Sequence, residues 1–207
     1  MAERTVRPYR FVLLAAALGT SIGLGLALAR GSKAPAAQPP PQLEAQVTWP
    51  AGSKPAPPLR LRDQNGAPFS LRALRGRPVL VTFLDSHCRS ACPVEGRVLR
   101  DVLDRLSATR AVLAVVSVDP WADTRLSARA FGAKAGWKSR WHWLLGNERT
   151  LARVWTAYHI AVKRTPGDVL HSTALYVVDT RGDLRAGFLF PFAATSVVRT
   201  VQALERG

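Results

Sequence analysis

Beyond residue 58 the chain alternates short apolar runs with segments whose apolar residues recur at helical spacing. Residues 78–84 (PVLVTFL) and 111–118 (AVLAVVSV) are of strand length, and the near-continuous apolarity of the second predicts burial on both faces. Between them, Val98, Leu99, Val102, Leu103 and Leu106 share one helical face and predict a helix over 95–106. Further helices are predicted over 123–135 and 147–158, and an amphipathic one closes the chain over 195–204. Residues 59–70 read as a hairpin about Asn65-Gly66, a dipeptide suited to a tight type I′ turn. Residues 174–178 and 184–188 flank Asp179-Thr180-Arg181-Gly182 as a second hairpin. The order is βαβ, then α, then ββα, without internal repeats, which predicts an α/β layered domain over 59–207.

The first 58 residues follow another pattern. A basic tail over 1–10, with Arg4, Arg7 and Arg10, precedes an uncharged apolar run over 11–29 closed by Arg30. A helix of that length nearly matches a ~30 Å hydrocarbon core. Ala27-Leu28-Ala29 has the small-x-small form of a signal cleavage site, so the run reads as a transmembrane anchor or a signal h-region. Its length favours the anchor, because signal h-regions typically run about 7–15 residues. No cysteine lies near its end, which argues against a lipid-modified anchor. Residues 30–58 are proline-rich, include Pro39-Pro40-Pro41 and Pro57-Pro58, and read as an extended linker. Either reading sends the domain across a membrane, to the cell surface or periplasm.

Composition adds less. At 47% hydrophobic and 21% charged the chain is neither a multi-pass membrane protein nor disordered. The net charge of +15 invites a nucleic-acid reading. The basic residues are scattered rather than clustered, and the predicted membrane crossing removes the domain from nucleic acid. A solvated basic surface remains, facing no nucleic acid, with anionic lipid headgroups as one beneficiary.

Chemistry concentrates in His87-Cys88-Arg89-Ser90-Ala91-Cys92-Pro93, which holds both cysteines of the chain. A spacing of four puts two thiols on one face of a helical turn, where they can share a metal or form a disulfide. A purely structural disulfide across so short a loop removes little unfolded-state entropy. A redox pair has Cys88 as exposed thiolate and Cys92 as resolving partner; a metal pair suits Cu(I), with Zn(II) also open. The order of elements puts the pair after the first βαβ strand, as in a thioredoxin-like domain, where a helix N-terminus favours thiolate. A third ligand has four histidines to draw on. His142 and His159 fit packing or surface roles, and His87 adjoins Cys88 but can point away. His171 opens a loop running into the strand 174–178, which this fold sets beside the cysteines. Asp119 and Asp123 read as loop and helix-start residues, Asp123 as a candidate N-cap.

These motifs resemble the Sco/SenC family of membrane-tethered, thioredoxin-fold proteins that help assemble the copper centre of cytochrome c oxidase. The carriers are Cys88-x3-Cys92-Pro93, Val118-Asp119-Pro120-Trp121-Ala122-Asp123-Thr124, Trp143-Leu144-Leu145-Gly146, and His171-Ser172 leading to Tyr176 through Gly182. The resemblance spans about residues 59–205. It implies a thioredoxin-like three-layer domain behind an N-terminal membrane helix, with one copper, Cu(I) or Cu(II), held by Cys88, Cys92 and His171. It implies as partners the oxidase copper-centre subunit or another copper carrier. Two departures stand out. Family members commonly carry proline after the first cysteine and an acidic residue between the two; here stands Arg89-Ser90-Ala91. An arginine there stabilises thiolate but repels a cation, which keeps open thiol–disulfide work on partner cysteines without a physiological metal. A peroxidase reading fails because position 81 is Val and position 85 is Asp, so the P-x-x-x-T-x-x-C context is missing.

Overall fold

The computed structural model describes residues 42–206 apart from 139. The basic tail and the anchor or signal segment lie outside the described residues. Among the described residues no helix is long and apolar enough to cross a membrane.

Strand β1 is Val47–Thr48, and a hairpin follows from β2 (Arg60–Arg62) and β3 (Pro68–Ser70). The first parallel unit is β4 (Val79–Leu84), helix α1 (Ala91–Arg105) and β5 (Val112–Ser117). Helix α2 (Arg125–Ala135), β6 (Trp141–Leu144) and α3 (Glu148–Ala157) extend it. A hairpin of β7 (Val162–Thr165) and β8 (Asp168–His171) leads to β9 (Ala174–Val178), β10 (Leu184–Leu189) and α4 (Ala194–Arg206). The main sheet runs β1-β10-β9-β4-β5-β6, with β4, β5 and β6 parallel and β9 antiparallel to β4.

Alternation along the central strands divides the core. Leu80, Leu84, Leu113 and Val115 meet Leu99 and Val102 of α1, Phe131 of α2 and Val197 and Val201 of α4. Val79, Val81, Phe83, Ala114 and Val116 face the other way, onto Leu151, Val154 and Trp155 of α3 and onto Leu61 and Phe69 of the first hairpin. All six positions of β4 and of β5 are buried, as expected for a sheet covered on both faces. Gly96 and Gly132 permit close approach on the first face. A Cβ at Gly132 would stand 2.7 Å from the Trp141 ring, and one at Gly96 3.0 Å from Phe131.

Four local features differ from the sequence reading. The Asn65-Gly66 turn is not type I′, since only Gly66 of the two has positive φ. Asp63 organises it instead: its carboxylate accepts from the Asn65 and Ala67 amides, and its carbonyl from Gly66. Second, the linker does not extend to residue 58. Val47 and Thr48 pair with Gly187 and Ala186, Pro55 bridges to Asp183, and the Tyr158 hydroxyl donates to the Pro57 carbonyl. Prolines set these φ angles but leave carbonyls free to accept, so a proline-rich stretch can still dock along a sheet edge. Third, Thr124 rather than Asp123 caps α2, in a reciprocal box with Ser127. Fourth, the segment before β9 is a hairpin turning at Pro166-Gly167, with Gly167 at φ 77. His171 therefore ends a strand.

Candidate functional site

β4 ends at Leu84, and residues 85–90 carry the chain across the sheet end into α1. Cys88 lies in this loop, half-buried, and Cys92 occupies the second position of α1, buried. Both are free thiols. His171 arrives from the other direction, at the end of β8, and its Nε2 stands 3.7 Å from the Cys92 sulfur. Its Nδ1 is 3.0 Å from the Ser172 carbonyl, so Nδ1–H donates there and the Nε2 lone pair faces Cys92. Ser172 is itself fixed, since its amide donates to the Ala161 carbonyl and its hydroxyl accepts from the Ala161 amide.

The two thiols differ. Burial works to raise the Cys88 pKa, but hydrogen bonds from the Cys92 side chain and backbone and from Ser90 outweigh it, leaving Cys88 below the ordinary thiol value. These donors sit at the start of α1, where amide groups have no partner within the helix. Burial pushes the Cys92 thiol up, and the neighbouring Cys88 and Glu95 charges push it further. The pair therefore consists of an accessible, readily ionised thiol and an enclosed thiol that holds its proton.

A sulfur and an imidazole nitrogen 3.7 Å apart can both bind one ion. Cys88 Sγ is not gathered within 4.8 Å of both Cys92 Sγ and His171 Nε2; the one such group of ligand atoms among the described residues is Asp85, His87, Asp119 and Asp123. Cys88 therefore has to turn inward to add a second soft sulfur.

The other histidines are elsewhere. His87 is half-exposed, with Nδ1 3.2 Å from Ser86 Oγ and 3.6 Å from the Asp123 carboxylate, and its ligating nitrogen groups with Asp85, Asp119 and Asp123. His142 pairs with Asp63 at 2.9 Å on the far hairpin. His159 follows α3 with φ 57.

Two residues support the site in ways the sequence reading did not assign: Asp123, read there as a helix-start residue, and Glu95. Asp123 holds the cysteine loop in place. One oxygen accepts from the Ser86 amide and hydroxyl, the other from Ser117 Oγ at the end of β5 and from the Trp143 indole of β6. Its carboxyl pKa is raised by burial. Glu95, one turn beyond Cys92, is fully buried. Thr82 Oγ1 donates to its Oε1 at 2.6 Å, and Oε2 has no hydrogen-bond partner among the described residues. Burial pushes its carboxyl up to about 7. The signal for Glu95 lay in the periodicity, because position 95 falls on the buried stripe of α1 that also holds Cys92, Leu99 and Val102.

Similarity to known proteins covers the region that holds these residues. The SCO1/SenC family model matches residues 50–204, a span that contains the cysteine loop, Asp123 and His171. The chain belongs to the SCO1/SenC family. A Stutzerimonas stutzeri protein provisionally named as copper-binding is 28% identical over 153 residues, covering 70% of this chain and 74% of its own length. Among solved structures, Bradyrhizobium japonicum ScoI with copper bound matches at 26% identity and a TM-score of 0.63, over 73% of this chain and 98% of that one. A SCO1/SenC family lipoprotein from Bacillus anthracis matches at 20% identity and a TM-score of 0.67, over 74% and 96% of the two chains. The fold is thus the thioredoxin-like Sco fold, as the order of elements led us to expect.

Proposed function

We propose that this protein binds copper through Cys88, Cys92 and His171 and serves the assembly of the cytochrome c oxidase copper centre outside the cytoplasm. The observation that carries the reading is the 3.7 Å approach of His171 Nε2 to the Cys92 sulfur, two segments distant in sequence meeting beside the only other thiol. Membership of the SCO1/SenC family, and relatives described as copper-binding or solved with copper, support it. Copper here is cargo. A three-donor soft site holds Cu(I) and leaves room for a donor from the recipient. Because Cys92 keeps its proton when metal-free, loading the site releases it, and oxidation of the pair to a disulfide removes both sulfur ligands. The segment over 11–29 would tether the domain to the membrane, by an uncleaved anchor in our reading.

The test titrates the reduced, full-length protein with Cu(I) against a competing chelator, beside His171→Ala and Cys88→Ser. Both variants are expected to lose at least tenfold in affinity. Unchanged affinity in His171→Ala would remove the three-ligand site.

The asymmetry of the thiols favours a second reading, thiol–disulfide exchange. Cys88 thiolate attacks one sulfur of a partner disulfide, and the partner's other sulfur leaves as thiolate. Cys92 then gives up its proton and attacks Cys88 Sγ, releasing the second partner thiolate. The partner ends reduced and the pair oxidised. A reduction potential near the glutathione couple together with weak copper binding would favour this reading over the first.

A further inference from the structure

Two cavities open on either side of His87, and they differ in sign. The larger, about 640 Å³, is walled by Asp85, Asp119 and Asp168 with Arg164, and contains no sulfur. The smaller, about 300 Å³, has Cys88 in its wall and runs between α1 and α2. Its apolar surface comes from Pro93, Ala130 and Phe131, and its cations are Arg97 and Lys134. Both cations are exposed, and neither has an ion-pair partner among the described residues. Helix α2 contributes Arg125, Arg129 and Lys134 and no acidic residue. On α1, Asp101 is held by Arg100, Glu95 is buried, and the exposed Asp104 lies about two turns beyond Arg97 and outside the lining of this cavity.

We infer that this groove is a docking surface for an acidic, cysteine-bearing segment of a partner protein. The inference rests on the proposed role of Cys88 as the residue that meets the partner, and adds the chemistry by which the partner is recognised. Three properties of the groove select the occupant. The half-buried Cys88 thiol lines it, Pro93, Ala130 and Phe131 give it apolar walls, and Arg97 and Lys134 add two cations without ion-pair partners among the described residues. Ser127 and Lys134 both line it, and seven helical residues span about 10 Å, the length of about three extended residues. The matching segment carries its cysteine about three residues from one or two carboxylates. A bilayer surface is flat and brings no sulfur, so it does not use a groove between two helices. The acidic cavity on the far side of His87 repels the same carboxylates, so the segment has one direction of approach.

The test uses the reduced full-length protein in mild detergent. Two heptapeptides are compared, each with one cysteine and either two aspartates or two lysines three residues away. Each is supplied as its mixed disulfide with thionitrobenzoate. Cys88 thiolate attacks the peptide sulfur, a protein–peptide disulfide forms, and thionitrobenzoate leaves with the electron pair and is read by absorbance. At low ionic strength the aspartate peptide is expected to react about tenfold faster than the lysine peptide, and the preference to fall away as salt screens it. Arg97→Glu/Lys134→Glu is expected to reverse the preference while neutral iodoacetamide modifies Cys88 at the parent rate. Arg97→Gln and Lys134→Gln, tested singly, should each lower the preference about threefold, which covers failure of the double variant to fold. Equal rates for the two peptides in the parent, or a preference that survives in these variants, overturn the inference. It falls equally if the cations prove to hold the protein on phosphatidylglycerol vesicles while peptide preference is unaffected. His171→Ala separates the two claims: loss of copper with the peptide preference retained counts against neither, whereas retained copper affinity removes the ligand set alone.

Discussion

Replacing Glu95 with glutamine isolates the effect of one buried proton on stability. The folded carboxyl titrates at about 7 against an ordinary 4.5, because burial opposes ionisation more than the Thr82 hydrogen bond favours it. Between those two values the folded chain binds a proton that the unfolded chain has released, so stability falls as pH rises. With a shift of this size the loss between pH 5 and pH 8 comes to about 2.5 kcal/mol, at ~1.4 kcal/mol per unit. Glutamine keeps the acceptor for Thr82 and cannot ionise. Its amide leaves a donor unpaired where Oε2 now stands, a cost of roughly 1–3 kcal/mol that does not change with pH. The comparison is therefore between pH profiles rather than between absolute stabilities. Urea unfolding of the reduced, metal-free protein is measured from pH 5 to pH 8 for both chains. The parent midpoint is expected to fall, relative to Glu95→Gln, by about 1 M urea across that range, for a slope of ~2 kcal/mol/M. Parallel profiles would refute the reasoning, since they mean that Glu95 is already ionised in the folded protein throughout that range.

Three further outcomes follow from the same geometry. Asp123→Ala, which frees Ser86, Ser117 and Trp143 at once, should cost about 2–4 kcal/mol by denaturant unfolding, and Asp123→Asn less. Iodoacetamide should modify Cys88 with a pH midpoint below the ordinary thiol value and leave Cys92 unmodified until the protein unfolds, as read by peptide mass mapping. A chain begun at residue 59 should melt lower than one begun at residue 42, by about 2–3 kcal/mol in stability, because it loses β1 and the packing of Trp49 on Tyr176.

The elements that carry the fold were legible because the sheet is covered on both faces. Such strands are uniformly apolar, and helices resting on them show one apolar stripe, so β4, β5, α1 and α4 announce themselves. The site was legible in its thiols, since only two exist, while His171 needed family likeness to single it out. What stayed hidden depends on contacts across distance. Whether Asp123 caps α2 or reaches back to Ser86 is decided by the positions of β5 and β6, and periodicity does not encode them. The β7–β8 hairpin left a local trace in Pro166-Gly167, but Lys163 and Arg164 are exposed and break the alternation by which a strand is recognised. The first folded residues were obscured by proline content, which reports backbone freedom and not what the backbone docks against.

The short strand β1 also fixes a direction. β10 runs parallel to β4, through the antiparallel pairs each makes with β9, and β1 runs against β10. Val47 lies opposite Gly187 and Thr48 opposite Ala186, so the chain enters the sheet at the end where β4 delivers Asp85 and the cysteines. The residues before β1 are clasped on α4, where the Glu44 amide donates to Thr200 Oγ1 and Arg199 donates to the Glu44 carboxylate, so tension on the chain is taken by α4 before it reaches β1. Shortening the chain ahead of residue 42 would therefore load the α4 clasp and the β1 edge, and leave the loop of residues 85–90 unstrained.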